Sequence, residues 1–153
     1  MNKDYKILDR RKVGHEFTSF STDVEKGRLK FFAKAIGEKK QLYSDELVAR
    51  AAGYKNIPAP PTFPFVLDLE GPEFWPVLDL LDMDIGRVLH GSQEFEYLGM
   101  IYAGDTITVT SILKDMFDKK GGALEFIVIE SSYTNQHGEL VSKAVNTLVY
   151  RTP

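Results

Sequence analysis

The chain has 153 residues, 43% of them hydrophobic and 12% aromatic, which is enough to bury the core of one domain and excludes wholesale disorder. A formal charge of -3, with basic clusters no longer than Arg10-Arg11-Lys12 and Lys119-Lys120, excludes a nucleic-acid binder, which needs a basic stripe. Cysteine is absent, so disulfides, thiolate nucleophiles and Cys-ligated metals are excluded.

Met1 to Lys6 leads into no apolar run, so no signal peptide is expected. No stretch reaches the roughly 18 apolar residues of a membrane span. The expectation is a soluble, cytoplasmic protein with no membrane partner. Residues 1–153 read as one domain, without internal repeat or linker. Its character changes near residue 86, from helical and proline-punctuated to alternating, which points to an α+β fold.

Val13 to Phe20 is expected to form a first strand. The spacing then predicts a helix over Asp23 to Ile36, opened by the capping box Thr22-Asp23-Val24-Glu25 and ended by Gly37. Val24, Phe31, Phe32, Ala35 and Ile36 fall near one face of it. A short helix over Asp45 to Ala52 follows, with Ser44 as its cap. Pro60 and Pro61 cannot lie inside a helix, whereas Pro64 suits a first turn. Thr62 is therefore expected to cap a helix from Phe63 to about Leu69, stopped by Gly71-Pro72. Phe63, Phe65, Val66, Leu67 and Leu69 make it apolar on nearly all sides, the mark of a buried helix. Another short helix starts at Pro76.

From Arg87 the period becomes two. Strict alternation places Leu89, Gly91, Gln93, Phe95 and Tyr97 on one face, and His90, Ser92, Glu94 and Glu96 on the other. Further strands are expected at Thr106 to Phe117, Leu124 to Thr134 and Leu140 to Arg151. Asp118 to Gly122 and Asn135 to Glu139 are the turns between them. Long antiparallel strands with one buried helix to wrap around describe a hot-dog arrangement.

Three stretches carry a family resemblance: Ala59-Pro60-Pro61-Thr62-Phe63-Pro64, Leu89-His90-Gly91-Ser92-Gln93-Glu94-Phe95 and Ala103-Gly104-Asp105-Thr106. In this order and spacing they resemble the MaoC-like hydratase/dehydratase family, and most closely its N-terminal dehydratase domain, over roughly Val13 to Tyr150. The resemblance implies a hot-dog fold. It also implies an acyl thioester of coenzyme A or acyl carrier protein as ligand, and (R)-specific hydration or dehydration as the reaction, with no cofactor.

The family carries an Asp, a His five residues on, and a His-Gly pair opening the central helix. Here Glu38 stands at the Asp position, Tyr43 at the His position and Pro60-Pro61 at the His-Gly position. Hydration of an enoyl thioester needs an acid and base, and donors for the developing oxyanion. Pro61 has no N–H to give, which leaves Thr62 or Phe63 as substitutes one position further along. Tyr43, with an ordinary pKa near 10, is a weak base. Glu38 reads either as a base or as a loop carboxylate, and His90 either as an acid or as a hydrogen-bonded strand histidine. Pro61, Thr62, Phe63 and Tyr97 are the candidate substrate contacts. Phe63, Phe65, Trp75 and Tyr97 are core or the wall of an acyl tunnel.

The resemblance implies pairing with a second hot-dog domain, as homodimer or as heterodimer with a catalytic MaoC-like subunit. With the chain ending at Pro153, a catalytic half is expected on another polypeptide. Three functions follow: a non-catalytic, substrate-shaping subunit; a self-sufficient homodimeric hydratase using Glu38 with Tyr43 or His90; and an acyl-CoA binding or thioesterase module. Other chemistries lack support. There is no Gly-x-Ser-x-Gly elbow and no phosphate-binding glycine loop. His15 and His137 are expected at the surface, and the histidines lack ligand spacing. Asp79, Asp82 and Asp84 lack the glycine and terminal Glu of a calcium loop.

Overall fold

The computed structural model describes residues 8–153, so the N-terminal stretch judged for a signal peptide lies outside the described residues. Five strands build one antiparallel sheet: β1 (Phe20–Asp23), β2 (Val88–Tyr97), β3 (Thr106–Lys119), β4 (Leu124–Thr134) and β5 (Leu140–Arg151). Their order across the sheet is β1-β3-β4-β5-β2. The helices are α1 (Lys26–Ala35), α2 (Glu46–Ala51), α3 (Pro64–Asp68) and α4 (Pro76–Leu81). Among the described residues no helix is long and apolar enough to cross a membrane.

The long hairpins form where alternation and turn chemistry place them. Lys120, Gly121 and Gly122 turn the β3–β4 hairpin with φ of 54°, 64° and 90°, which two glycines make cheap. The inner face of the sheet offers Ile107, Val109, Leu113, Met116, Ile127, Tyr133, Ala144 and Leu148. Phe63 and Leu67 from the α3 region sit on Ile107, Val109, Tyr133 and Ala144 as one core cluster. A second cluster gathers Leu8, Val77, Leu81, Met116, Ile127 and Leu148 under α4. The sheet thus curls round a short central helix, the hot-dog arrangement expected.

Several boundaries differ from the sequence reading, each for a local reason. α1 starts at Lys26 because Phe20 to Asp23 pairs with β3, from Phe20 opposite Val109 to Asp23 opposite Thr106. Asp23 accepts a hydrogen bond from the Thr106 hydroxyl at 2.8 Å, and Glu25 at the N-cap makes no side-chain cap. Sheet pairing has outcompeted the capping box. The buried face of α1 is Leu29 and Ala33, while Phe31 is 74% exposed. In α2 the cap is Asp45, whose Oδ1 accepts from the N–H groups of Leu47 and Val48. Ser44 instead donates to the Gln41 carbonyl.

The stretch before β1 runs beside β3 without forming a regular strand. Gly14 N–H bonds Leu113 O, Phe17 N–H bonds Ser111 O, and Glu16 bridges Ile112. At the front of α3 the cap position falls on Phe63, already helical, rather than on Thr62. Pro64 takes the first turn as expected. Only Pro64 and Leu67 of α3 are fully buried, and Leu69 just beyond it is exposed, so the helix is not enclosed on all sides.

In β2 the alternation is broken by a bulge between His90 and Ser92. His90 lies opposite Leu148, and after the bulge Gln93 lies opposite Asn146, Phe95 opposite Ala144 and Tyr97 opposite Ser142. His90 therefore shares the inner face with Gln93, Phe95 and Tyr97, not the outer face with Ser92. A Cβ on Gly91 would stand 2.8 Å from Val149 Cγ2 and 2.9 Å from the Thr147 carbonyl oxygen, so the bulge requires glycine there.

Candidate functional site

The candidate residues fall into three groups around α3. The first is the loop between α1 and α2. Glu38 Oε1 accepts the backbone N–H groups of Lys39 and Lys40, each at 2.9 Å, so the carboxylate closes its own turn. Tyr43 sits half-buried beside it. Partial burial first, then the charge of Glu38 and the Tyr54 phenol, hold the Tyr43 hydroxyl above its ordinary 10.0. At neutral pH Tyr43 is a proton donor at most, not a base.

The second group is the entrance to α3. The Phe63 N–H donates to the Pro60 carbonyl at 2.9 Å, and the Pro61 carbonyl accepts from the Tyr97 hydroxyl at 2.8 Å. Tyr97, at the end of β2, so ties the edge strand to the proline turn. Phe63 is a core residue, edge-on to Phe32 with ring centroids 5.4 Å apart. Pro61 and Thr62 are exposed. At this helix start Pro61 has no N–H and the Phe63 N–H is committed to Pro60, which leaves Thr62 as the remaining candidate donor.

The third group joins β2 to α3. His90 stacks on Phe65, centroids 5.3 Å apart and planes 10° apart, and its Nε2 lies 3.2 Å from Gln93 Oε1. His15 and His137 are exposed. Asp79, Asp82 and Asp84 lie around the end of α4; Asp84 Oδ1 accepts from the Gly86 N–H. Among the described residues no group of histidine and carboxylate side chains is arranged to hold a metal ion.

Beside α3, against the inner face of the sheet, opens a cavity of about 90 Å³. Phe17, Phe20, Phe65, Leu69, Trp75, Ile129 and Leu148 make its walls mostly apolar. Its apolar lining is of the kind that receives the apolar part of an organic ligand. Trp75 holds a left-handed conformation, φ 46°, directly before Pro76, which is costly for a bulky residue.

Polar residues also line this cavity, among them these four: Asp68, Ser111, Ser131 and Asn146. Ser111 and Ser131 share a hydrogen bond of 2.9 Å. Two acceptors, Asp68 Oδ1 and Asn146 Oδ1, and two donors, the Tyr133 hydroxyl and Gln93 Nε2, are buried here without a partner in full hydrogen-bonding geometry. Burial pushes the Asp68 carboxyl up to about 6, against the weaker opposing pull of the Tyr133 and Ser131 hydroxyls. Burial, then the Asp68 carboxylate, holds the Tyr133 phenol far above its usual range. None of the four lining residues was singled out in the sequence. The signal was present: Ser131 and Asn146 occupy inward positions of β4 and β5, where the period of two calls for apolar side chains.

Comparison with known proteins agrees with this architecture. Residues 11–144 match the family described as "FAS1-like, dehydratase domain region". The UPF0336 protein of Thermobifida fusca is 36% identical over 129 residues, covering 84% of each chain. That of Saccharopolyspora erythraea is 32% identical over 145 residues, covering 94% of this chain and 92% of the relative. Among solved structures, the truncated HadBC (3R-hydroxyacyl-ACP dehydratase) complex from Mycobacterium tuberculosis superimposes with a TM-score of 0.75 at 24% identity, over 90% of this chain and 96% of that one. The ChsH1-ChsH2 complex from the same organism gives 0.69 at 20% identity, over 91% and 98%. A MaoC-like dehydratase gives 0.82 at 22% identity, over 92% of this chain and 42% of its own. With a family match over most of its length and a sheet and central helix that superimpose on solved dehydratases, the chain belongs to the FAS1-like dehydratase-region family as a MaoC-like hot-dog domain.

Proposed function

We propose that residues 1–153 act as one hot-dog domain, the non-catalytic, substrate-shaping half of an (R)-specific enoyl-thioester hydratase/dehydratase. Its ligand is an acyl chain carried on coenzyme A or acyl carrier protein, and its partner is a catalytic MaoC-like domain that brings the Asp/His pair. The observation that carries this reading is the state of the catalytic positions. Glu38 is engaged by its own turn, Tyr43 is held protonated, Pro61 has no N–H, and the Phe63 N–H is bonded to Pro60. The apolar cavity supplies a place for the chain. Strand β2 lies at the sheet edge with Leu89, Tyr97, Leu98 and Met100 exposed around it, a surface suited to a second hot-dog sheet. Two of the structural neighbours are themselves complexes, HadBC and ChsH1-ChsH2.

A self-sufficient homodimer is the second reading, favoured by the electrostatic contact between Glu38 and Tyr43. Hydration of crotonyl-CoA separates the two. The non-catalytic reading expects background turnover from the protein alone. It expects enzymatic turnover on mixing with a hot-dog protein that carries an intact Asp-x-x-x-x-His motif. Ordinary turnover by the protein alone, lost in Glu38→Gln, would overturn it.

A further inference from the structure

Gly71 to Trp75 crosses the cavity beside α3 as one of its walls: Gly71, Pro72, Glu73 and Trp75 all line it. Both ends of this strap are anchored. Glu70, just before it, pairs with Arg28 of α1, and Val77, just after it, is buried in the second core cluster. Between the anchors, among the described residues, no hydrogen bond joins Gly71, Pro72, Glu73 or Phe74 to the rest of the chain. A segment without such bonds is of the kind that opens locally at low cost. Side-chain contact is what seats it. A Cβ on Gly71 would stand 3.1 Å from the Phe20 ring, and the exposed Phe74 ring stacks on Trp75 with centroids 5.8 Å apart. Trp75 is the strained point: a φ of 46° is costly for a bulky residue, and the residue before a proline prefers extended backbone.

We propose that this strap is the gate of the acyl cavity: a chain enters when Trp75 turns to extended backbone and Gly71 to Trp75 swings outward. The inference rests on the acyl-cavity reading above and adds how that site is opened. Size makes the opening necessary. The cavity measures about 90 Å³ with the strap seated, whereas sites that take organic ligands run to roughly 300–1,000 Å³. The other walls are held by backbone pairing. They are α3, the laddered strands β3, β4 and β5, and the segment from Phe17 to Phe20, which is tied to β3 through the Phe17 N–H and the β1 pairing. The strap is the wall that yields. Its strain favours the turn, because extended backbone relieves both costs at Trp75 at once.

Trp75 is the chain's single tryptophan and lines the cavity, so its fluorescence reports entry. The chain has no cysteine, so an engineered pair is the only one that a thiol reagent joins. Thr18 and Glu73 line the cavity from different walls, and both are exposed. In the full chain, Thr18→Cys with Glu73→Cys, joined by a short bis-maleimide that contains a reducible disulfide, ties the strap down. With dodecanoyl-CoA as the probe, the bridged protein should lose about tenfold or more in affinity by calorimetry and regain it on reduction. Each single-cysteine variant should bind as the unmodified protein does. Gly71→Val acts in the opposite direction: its side chain meets the Phe20 ring and holds the strap off its seat. Trp75 emission should then respond about threefold or more faster on rapid mixing with dodecanoyl-CoA, since the open fraction scales the apparent binding. Circular dichroism checks that each variant is folded. A bridged protein that binds like the unbridged one, or a Gly71→Val response no faster than wild type, would overturn the gate and leave the acyl cavity standing. If dodecanoyl-CoA perturbs Trp75 in none of the proteins, the acyl-cavity reading itself fails, and the gate with it.

Discussion

His90 and Phe65 stack nearly parallel, 5.3 Å apart, although strict alternation along β2 places His90 on the outer face. The bulge between His90 and Ser92 makes the contact possible: one extra residue shifts the phase, and His90 turns inward onto α3. Edge strand and central helix are thus joined at two points, here and where the Tyr97 hydroxyl meets the Pro61 carbonyl.

Gly91→Ala should show how firmly that bulge is held. The added methyl meets the Thr147 backbone and the Val149 side chain at under 3 Å, so the strand must move. A loss of about 1–3 kcal/mol is expected, as for overpacking in a core. It is measured as a lower urea midpoint with unchanged slope. A stability within about 0.5 kcal/mol of wild type would mean that β2 slips its register at little cost.

Asp68 should give the protein an unusual pH dependence. Its folded carboxyl stands at about 6, above the ordinary 3.8 of an unfolded chain. The unfolded state therefore ionises first as pH rises. Stability from this group is complete below about pH 4 and declines up to and through about pH 6. At about 1.4 kcal/mol for each pH unit, the gap between 3.8 and about 6 amounts to at most about 3 kcal/mol. Asp68→Asn should therefore gain stability over wild type at about pH 8 and lose that advantage at about pH 4, in denaturation curves at the two values. A constant difference would contradict the burial of this carboxyl.

Arg10 and Glu125 test the packing of the N-terminal segment on the sheet. Glu125 is fully buried at an inward position of β4, with the Arg10 guanidinium 2.6 Å from its Oε2 and the Leu8 N–H on its Oε1. Arg10→Ala leaves a buried carboxylate without its counter-ion, for an expected loss of about 3 kcal/mol by chemical denaturation. Adding Glu125→Gln should recover most of it. A double variant no better than the single one would place the cost in lost packing rather than in charge.

Glu38→Gln separates a turn-closing carboxylate from a catalytic base. Oε1 accepts two backbone N–H groups, and a carboxamide oxygen can still accept them. We expect stability to fall by no more than about 1 kcal/mol. Turnover of the assembled pair on crotonyl-CoA should stay within about threefold. A fall of about a hundredfold or more, with the fold intact, would return Glu38 to the role of base.

Much of the fold was written in local sequence. Pro64 and Pro76 open helices because a ring without an N–H fits a first turn, and the β3–β4 hairpin turns where Lys120 is followed by two glycines. The long strands follow their alternation, and Pro61 stands at the head of α3 with no N–H to give. Local sequence misjudged positions where two local preferences compete. Thr22 to Glu25 spells a helix cap, but pairing with β3 claimed Phe20 to Asp23, and a capping box gives way to a sheet ladder. Ser44 and Asp45 are both capable caps, and only the extended backbone of Asp45 placed its oxygen on the waiting N–H groups.

The side of the sheet to which each polar group points follows from register and not from local sequence. Whether His90 faces inward depends on where one extra residue is accommodated, and that is set by the contact of Gly91 with Thr147 and Val149 on a strand some fifty residues on. Asp68, Ser131 and Asn146 are far apart in sequence, and each alone reads as an ordinary polar residue. They become one wall because the curl of the sheet brings α3, β4 and β5 around the same cavity. Residue type and spacing carried most of the elements and the likeness to a dehydratase domain. Side-chain direction and the meeting of distant polar groups required the folded sheet, because both depend on register.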